Sequence, residues 1–221
     1  ILSYDRPGYF EYAGASGGFL DAFGYPFCRG RILDTIEQDD GQYDTSRDVF
    51  WASGACMMVR ADVFRKLGGF DGDFFAHMEE IDFCWRAQLA GYRIMVEPRS
   101  RVFHLGGGTL PNNSPRKLYL NYRNNLSMLY KNLSKLTLWP LLFTRMVLDG
   151  MSAFVFLMQG RRDFFKVVFR SHMDFYKILG MLRAKRRAIQ RDRTGSAAGN
   201  IYRGSIILRH ALGRRTFGRM M

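Results

Sequence analysis

The clearest periodicity in the chain falls between Leu118 and Leu133. Leu118, Tyr122, Leu126, Leu129 and Leu133 recur at spacings of four, four, three and four, which places them on one stripe of a helix. Upstream, from Val49, short apolar runs alternate with turn signals. Residues 55–59 are an apolar run of a length suited to a buried strand. Arg60-Ala61-Asp62 then opens a short helix that Gly68-Gly69 closes. A second helix is predicted from about Met78 to Ala90, stopped by Gly91. Residues 93–97 and 101–104 read as two short strands, followed by Gly106-Gly107-Gly108. Helix, glycine, strand, turn and strand in succession predict an α/β arrangement. Residues 1–48 hold glycine, aspartate and aromatics with turn signals such as Asp5-Arg6-Pro7-Gly8, and predict an irregular segment wrapped over a surface.

Beyond Pro115 the pattern is helical. Residues 136–158 are apolar enough to raise the question of a membrane span, but they contain Pro140, Arg145, Asp149 and Gly150. Arg145 and Asp149 can pair one turn apart, yet two charges near the centre of a span are costly in lipid. A helix lying in the membrane interface, or packed in a helical hairpin, is therefore expected. Phe165, Val168, Phe169, Tyr176 and Leu179 form a further apolar stripe with Lys166, Arg170 and Lys177 off it, a composition that fits a membrane surface. The Gly- and Arg-rich remainder from Gln190 is expected to be poorly ordered. The predicted organisation is 1–115, 116–189 and 190–221.

Charge sharpens this division. The formal net charge of +13 comes wholly from residues 161–221, which hold 16 Lys and Arg against Asp163, Asp174 and Asp192. Such a block suggests contact with anionic lipid or nucleic acid and says little about the fold. Cys28, Cys56 and Cys84 form no closely spaced pair, so a zinc site or disulfide framework is not expected and reduced thiols are. The chain starts at Ile1 with neither an initiator methionine nor a signal peptide, which predicts that the N-terminal part of a longer protein is missing.

The densest acidic cluster is His77-Met78-Glu79-Glu80-Ile81-Asp82, continuing to Arg86. On a helix Glu79 and Asp82 share a face and Asp82 and Arg86 stand four apart, so Arg86 can hold Asp82 while a neighbouring carboxylate stays free to act. Two close carboxylates raise each other's pKa, and the helix N-terminus opposes that rise. A general base must be ionised at working pH and within hydrogen-bond reach of its proton.

Several motifs recur in order: Ser53-Gly54-Ala55 with Arg60, Gly68-Gly69-Phe70-Asp71 with Phe74-Phe75, Glu79-Glu80-Ile81-Asp82 with Arg86, Gly91-Tyr92, Pro98 and His104. Together they closely resemble the second half of a family 2 glycosyltransferase of GT-A fold. Phe10-Glu11-Tyr12-Ala13-Gly14-Ala15 and Tyr25-Pro26-Phe27-Cys28-Arg29-Gly30 are similar to its bacterial, cell-envelope-building branch. The resemblance implies a partial GT-A domain, Rossmann-like, followed by a helical, membrane-associating region. It implies an inverting transfer from a nucleotide-sugar donor to a glycan or lipid-linked acceptor hydroxyl at the cytoplasmic face of the inner membrane. Glu80 falls on the family's catalytic acidic position, with Glu79 beside it; Asp82 and Arg86 fall on the part that braces the motif or orients the acceptor, Asp82 as a further catalytic candidate and Arg86 as a substrate-binding one. Ser53 and Gly54 fall on the substrate side, and Trp51, with Trp85 and Phe50, could stack on a sugar. His104 falls on a position that often ligates the donor's metal, Mg²⁺ or Mn²⁺, with backbone amides of residues 106–109 near the diphosphate.

The family's nucleotide-binding half, with its D-x-D motif after an apolar strand, has no counterpart here, since Asp39-Asp40 lies in a polar turn. The chain alone is thus expected to bind donor poorly. Two other readings compete, a catalytically inactive membrane scaffold and a basic nucleic-acid binder. Confinement of the charge to the C-terminal stretch argues against the latter, and no nucleic-acid partner is expected.

Overall fold

The computed structural model describes residues 1–106 and 114–220. Its first 48 residues are mostly turns and loops, as their composition suggested, but they also carry six short strands. These are β1 (Leu2–Ser3), β2 (Gly18–Asp21), β3 (Pro26–Cys28), β4 (Arg31–Ile32), β5 (Thr35–Ile36) and β6 (Arg47–Asp48). Each has two to four residues, too few to show an alternating pattern. Buried packing holds them: a Cβ at Gly18 would lie 2.0 Å from the Trp51 ring, and one at Gly30 2.5 Å from the Phe10 ring.

The helices follow the sequence pattern closely. α1 (Ala61–Lys66) and α2 (Glu79–Leu89) precede β7 (Met95–Val96) and β8 (Phe103–His104). β7 pairs antiparallel with β6, and β8 pairs parallel with β1. The strand predicted over 55–59 is absent. Ser53 Oγ accepts from the Ala55 amide and turns the chain into a 3₁₀ turn at Gly54–Cys56, leaving Met58 99% exposed. All three cysteines are free thiols.

Four helices come next: α3 (Pro115–Asn132), α4 (Lys135–Met158), α5 (Arg162–Lys177) and α6 (Leu179–Arg191). Ser114 and Ser134 cap α3 and α4 through their hydroxyls, as N-cap serines do. α3 packs against α2, α5 and α6, and all of its residues from Asn124 to Asn132 are buried. In α4, Arg145 and Asp149 point inward and pair at 2.8 Å. Asp149 also reaches His172 at 3.2 Å, and the Arg145 guanidinium lies 3.8 Å from the Tyr25 ring centroid. The stripe expected on α5 divides: Phe164, Val168, Ser171 and Phe175 are buried, whereas Phe165, Phe169 and Tyr176 are exposed.

The basic tail is folded, contrary to its composition. β9 (Ile201–Tyr202) joins β2 in parallel and completes a sheet of order β5-β4-β3-β2-β9, whose other pairings are antiparallel. α7 (Ile206–Ala211) and α8 (Phe217–Met220) follow. The Ile206 amide donates to Asp21, and the Phe217 ring packs among Phe19, Phe27 and Tyr43. The buried Ile206 and Phe217 side chains, together with the β9 ladder, anchor a segment otherwise rich in arginine. One apolar cluster runs from Leu2 to Phe217, so the three predicted segments share a core.

Candidate active site

The approach to α2 is the most contorted part of the described backbone. Phe75, His77 and Met78 all have positive φ, at 62°, 68° and 73°, a region that residues other than glycine seldom occupy. Neighbouring structure must impose it. Asn124 of α3, wholly buried, places its Nδ2 within 2.9 Å of the carbonyl oxygens of Phe74, Ala76 and His77, and Arg123 donates to Asp73. This staple delivers Glu79 and Glu80 at the first turn of the helix.

Two residues further on, Asp82 is fully enclosed. Arg86 Nε donates to it at 2.8 Å, Lys131 Nζ lies 3.0 Å away and Asn132 Nδ2 donates at 2.8 Å. Arg86 spends its remaining donors on the Leu67 and Gly69 carbonyls. The expected Asp82–Arg86 pair therefore forms, but as a clamp joining α2 to α3 and to the Gly68-Gly69 turn. Neither group faces a cavity, so the catalytic place considered for Asp82 and the substrate contact considered for Arg86 are not what the geometry offers.

Glu80 is held differently. It is partly buried, and its Oε2 is sealed from solvent without a hydrogen-bond partner; the same is true of Glu79 Oε2 and His77 Nε2. Burial, reinforced by the Glu79 charge, pushes Glu80 up to about 7, and burial raises Glu79 as well. Cys28 and Cys84 lie near enough to feel the Glu80 charge, which adds to the effect of burial in raising both thiols. Burial, followed by the Lys117 charge, lowers His77.

Around Tyr12 lie charged groups that the sequence did not single out. Arg31, buried on β4, places its guanidinium 4.4 Å from the Tyr12 ring centroid, and its Nη2 is 3.6 Å from Cys28 Sγ. Lys117 approaches Tyr12 at 5.7 Å. Glu11 lies 3.4 Å from His104 Nδ1, itself sealed and without a hydrogen bond. Their only trace in the sequence was Glu11-Tyr12 within the motif of the first strand region.

Neither Glu80 nor His104 lies on the wall of the larger cavities. A cavity of about 570 Å³ is lined by Ala52, Ser53, Phe83, Cys84 and Ala87, the last three on the face of α2 that carries Glu80 one turn earlier. Another, of about 460 Å³, is lined by Glu11, Tyr12 and Arg6. Ser53 thus reaches a cavity wall, and the exposed Gly54 does not. Trp51 is a core residue: 4% exposed, it donates to the Phe19 carbonyl at 3.0 Å. Trp85 and Phe50 pack edge to face in the interior, so none of the three presents a face to a sugar.

For a divalent metal, His104 and Glu11 provide two ligand-type side chains that face each other, and His104 Nδ1 has no other partner. Mg²⁺ commonly binds substrate phosphates through one or two carboxylates, a requirement Glu11 meets, whereas the imidazole of His104 suits Mn²⁺ better than Mg²⁺. Among the described residues no group of three or more His, Cys, Asp or Glu converges on a point. Of the backbone amides expected near a diphosphate, those of Gly107, Gly108 and Thr109 lie outside the described residues.

Comparison with known proteins adds to this geometry. Residues 29–160 match the family described as "Glycosyl transferase family group 2". An N-acetylglucosaminyl-diphospho-decaprenol L-rhamnosyltransferase of Mycobacterium tuberculosis is 38% identical over 88 residues, 40% of this chain and 28% of its own length. Rhamnosyltransferase WbbL of Escherichia coli is 39% identical over 85 residues, 38% of this chain and 31% of its own. A low-salt glycan biosynthesis hexosyltransferase, Agl10 of Haloferax volcanii, is 40% identical over 64 residues, 29% of this chain and 21% of its own. The chain thus matches less than a third of the length of each of these relatives. No solved structure matches it significantly.

Proposed function

The chain belongs to glycosyl transferase family group 2, and from that premise we propose that it carries the acceptor-activating side of an inverting hexosyl transfer, with Glu80 as the base. The observation that carries this reading is the Glu80 carboxylate: its Oε2 is sealed and lacks a partner, and burial with the Glu79 charge pushes it up to about 7. A base with a pKa near working pH combines a useful ionised fraction with real proton affinity. Glu80 would take the proton of an acceptor hydroxyl as that oxygen attacks C1 of a nucleotide-linked sugar from the face opposite the diphosphate. The C1–O bond to the diphosphate breaks as the new bond forms, which inverts the anomeric configuration. Glu79 keeps Glu80 basic by its charge, and Asn124 and the Asp82 clamp fix where Glu80 stands. Arg31 and Lys117, both beside Tyr12, would supply positive charge for a diphosphate that accumulates charge as it leaves. A divalent cation held by His104 and Glu11 would add to that stabilisation.

The acceptor is proposed to be a glycan or a lipid-linked sugar of envelope polysaccharide assembly. The decaprenol-linked substrate in the name of the Mycobacterium relative and the rhamnosyl transfer named for two relatives support that class. The test is Glu80→Gln in the full-length polypeptide, assayed by transfer from nucleotide sugars to a lipid-linked acceptor. The base role predicts a loss of about 10²–10⁴-fold in kcat with little change in KM. Transfer at the parental rate would remove Glu80 from the mechanism, and absence of transfer by the parent would favour an inactive scaffold.

A further inference from the structure

We propose that the outer face of the α4–α5 hairpin is a membrane-docking surface, which lays α4 flat in the interface of a bilayer containing anionic lipid. On α4, Leu136, Trp139, Phe143, Val147, Met151 and Phe154 follow one another at spacings of three, four, four, four and three. All six are exposed, from 47% at Val147 to 88% at Leu136. This outward stripe carries no charge, because Arg145 and Asp149 are buried on the opposite side with His172 and Tyr25. The two charges that weighed against lipid contact in the sequence are turned into the protein.

α5 widens the stripe into a patch. The two helices run antiparallel in close register: Phe156 packs on Phe164 at 5.3 Å, Asp149 meets His172, and the Tyr176 hydroxyl reaches Met146 Sδ at 3.1 Å. Phe165, Phe169 and Tyr176 lie on the same flank of α5 as His172, three or four residues from it or from one another, so they adjoin α4. Further round that helix stand Lys166, Arg170 and Lys177, all exposed. Asp174 pairs with Arg170 and Lys177, and Asp163 is the only other acid on α5, so the rim remains net positive. An apolar patch of aromatics and aliphatics edged by lysine and arginine is complementary to an anionic lipid surface, acyl chains beneath and phosphates above.

The same packing argues for a helix lying in the plane. α4 has 24 residues and an 18-residue window of mean hydropathy 1.6, so by length and composition it could cross a bilayer. Its inner side, however, is committed to α5, to Tyr122 and to Tyr25, within a body that also carries the buried ion pairs of α2 and α3. Only one side of α4 is open to lipid, which is the geometry of an interfacial helix. This inference is independent of the assignment of Glu80.

Trp139 provides the readout, since it is 63% exposed while Trp51 and Trp85 are 4% exposed in the core. The full chain is titrated with phosphatidylcholine vesicles, with or without about one third phosphatidylglycerol, and Trp emission is followed. The expected result is a blue shift on the anionic vesicles, with stronger quenching by lipids brominated near the headgroup than near the terminal methyl. Phe143→Asp with Phe154→Asp should weaken binding by about tenfold or more, and Lys166→Gln with Lys177→Gln by about threefold to tenfold, with unchanged circular dichroism. Four results would overturn the proposal: no vesicle binding, binding indifferent to the aspartates, quenching strongest at the bilayer centre, or self-association abolished by the aspartates without any lipid response. The last would identify a second copy of the chain as the occupant.

Discussion

Asp82 and Glu80 sit two residues apart on α2 and live under opposite regimes. Asp82 has three donors of its own, from Arg86, Lys131 and Asn132, and no access to solvent. Glu80 has a sealed oxygen with no donor, and an acidic neighbour. The helix turns about 200° between them, so one carboxylate faces α3 and the other the β3 side, where Cys28 lies. What separates the two roles is hydrogen-bond supply. A carboxylate given every partner becomes part of the scaffold, and one denied them keeps the proton affinity that chemistry needs.

The comparison is broken most forcefully from its saturated side. Asp82→Ala leaves the Lys131 ammonium in the interior with only Asp71 as an acidic partner, and is expected to cost about 3–5 kcal/mol of unfolding free energy in a urea titration. A loss under about 1 kcal/mol would mean the clamp is not the structural element described. Next in size is Asn124→Asp, which removes the donors facing three loop carbonyls. It should cost about 2–3 kcal/mol and lower kcat more than it raises KM, because the displaced element is the turn that presents Glu80.

From the unsaturated side the sign reverses. Below pH 4.5, Glu80 is protonated in both the folded and unfolded chain and costs nothing. Between 4.5 and about 7 the unfolded chain releases its proton first, so folding loses stability as pH rises, and the full cost persists above 7. Glu80→Gln should therefore stabilise the protein at pH 8 by about 2 kcal/mol, after allowance for its partial exposure, and give no gain at pH 4, as read from thermal melts. The smallest effect is expected at the His104–Glu11 pair. At 3.4 Å and with His104 about one-third exposed, His104→Gln should change stability by less than about 1 kcal/mol. The same change should weaken Mn²⁺ binding measured by calorimetry if the pair holds the cation.

The sequence made visible the parts governed by local rules. α1 to α4 fall within a few residues of where apolar spacing and glycine stops put them, and the Asp82–Arg86 pair follows from helical geometry. Features that depend on distant partners were not visible. Lys131 reads as an ordinary solvated lysine, and only the fold shows that it lies between Asp71 and Asp82. Trp51 reads as a sugar platform because nothing local shows Gly18 packed under its ring. The apolar run at 55–59 suggested a strand, but Ser53 caps a turn there. The tail was legible as charge and opaque as structure, since its anchoring rests on Ile206 and Phe217 meeting a sheet formed about 180 residues earlier. Within the site, Glu80 was marked by its motif, whereas Arg31 and Lys117 are brought to Tyr12, and Glu11 to His104, by folding alone.

The most direct test of this account is the titration of the Glu80 side chain itself, followed by carboxyl ¹³C NMR with glutamate labelling and assigned by its loss in Glu80→Gln. An apparent pKa of about 7, falling when Glu79 is changed to Gln, is the predicted result. Titration in the ordinary carboxylate range, indifferent to Glu79, would contradict it.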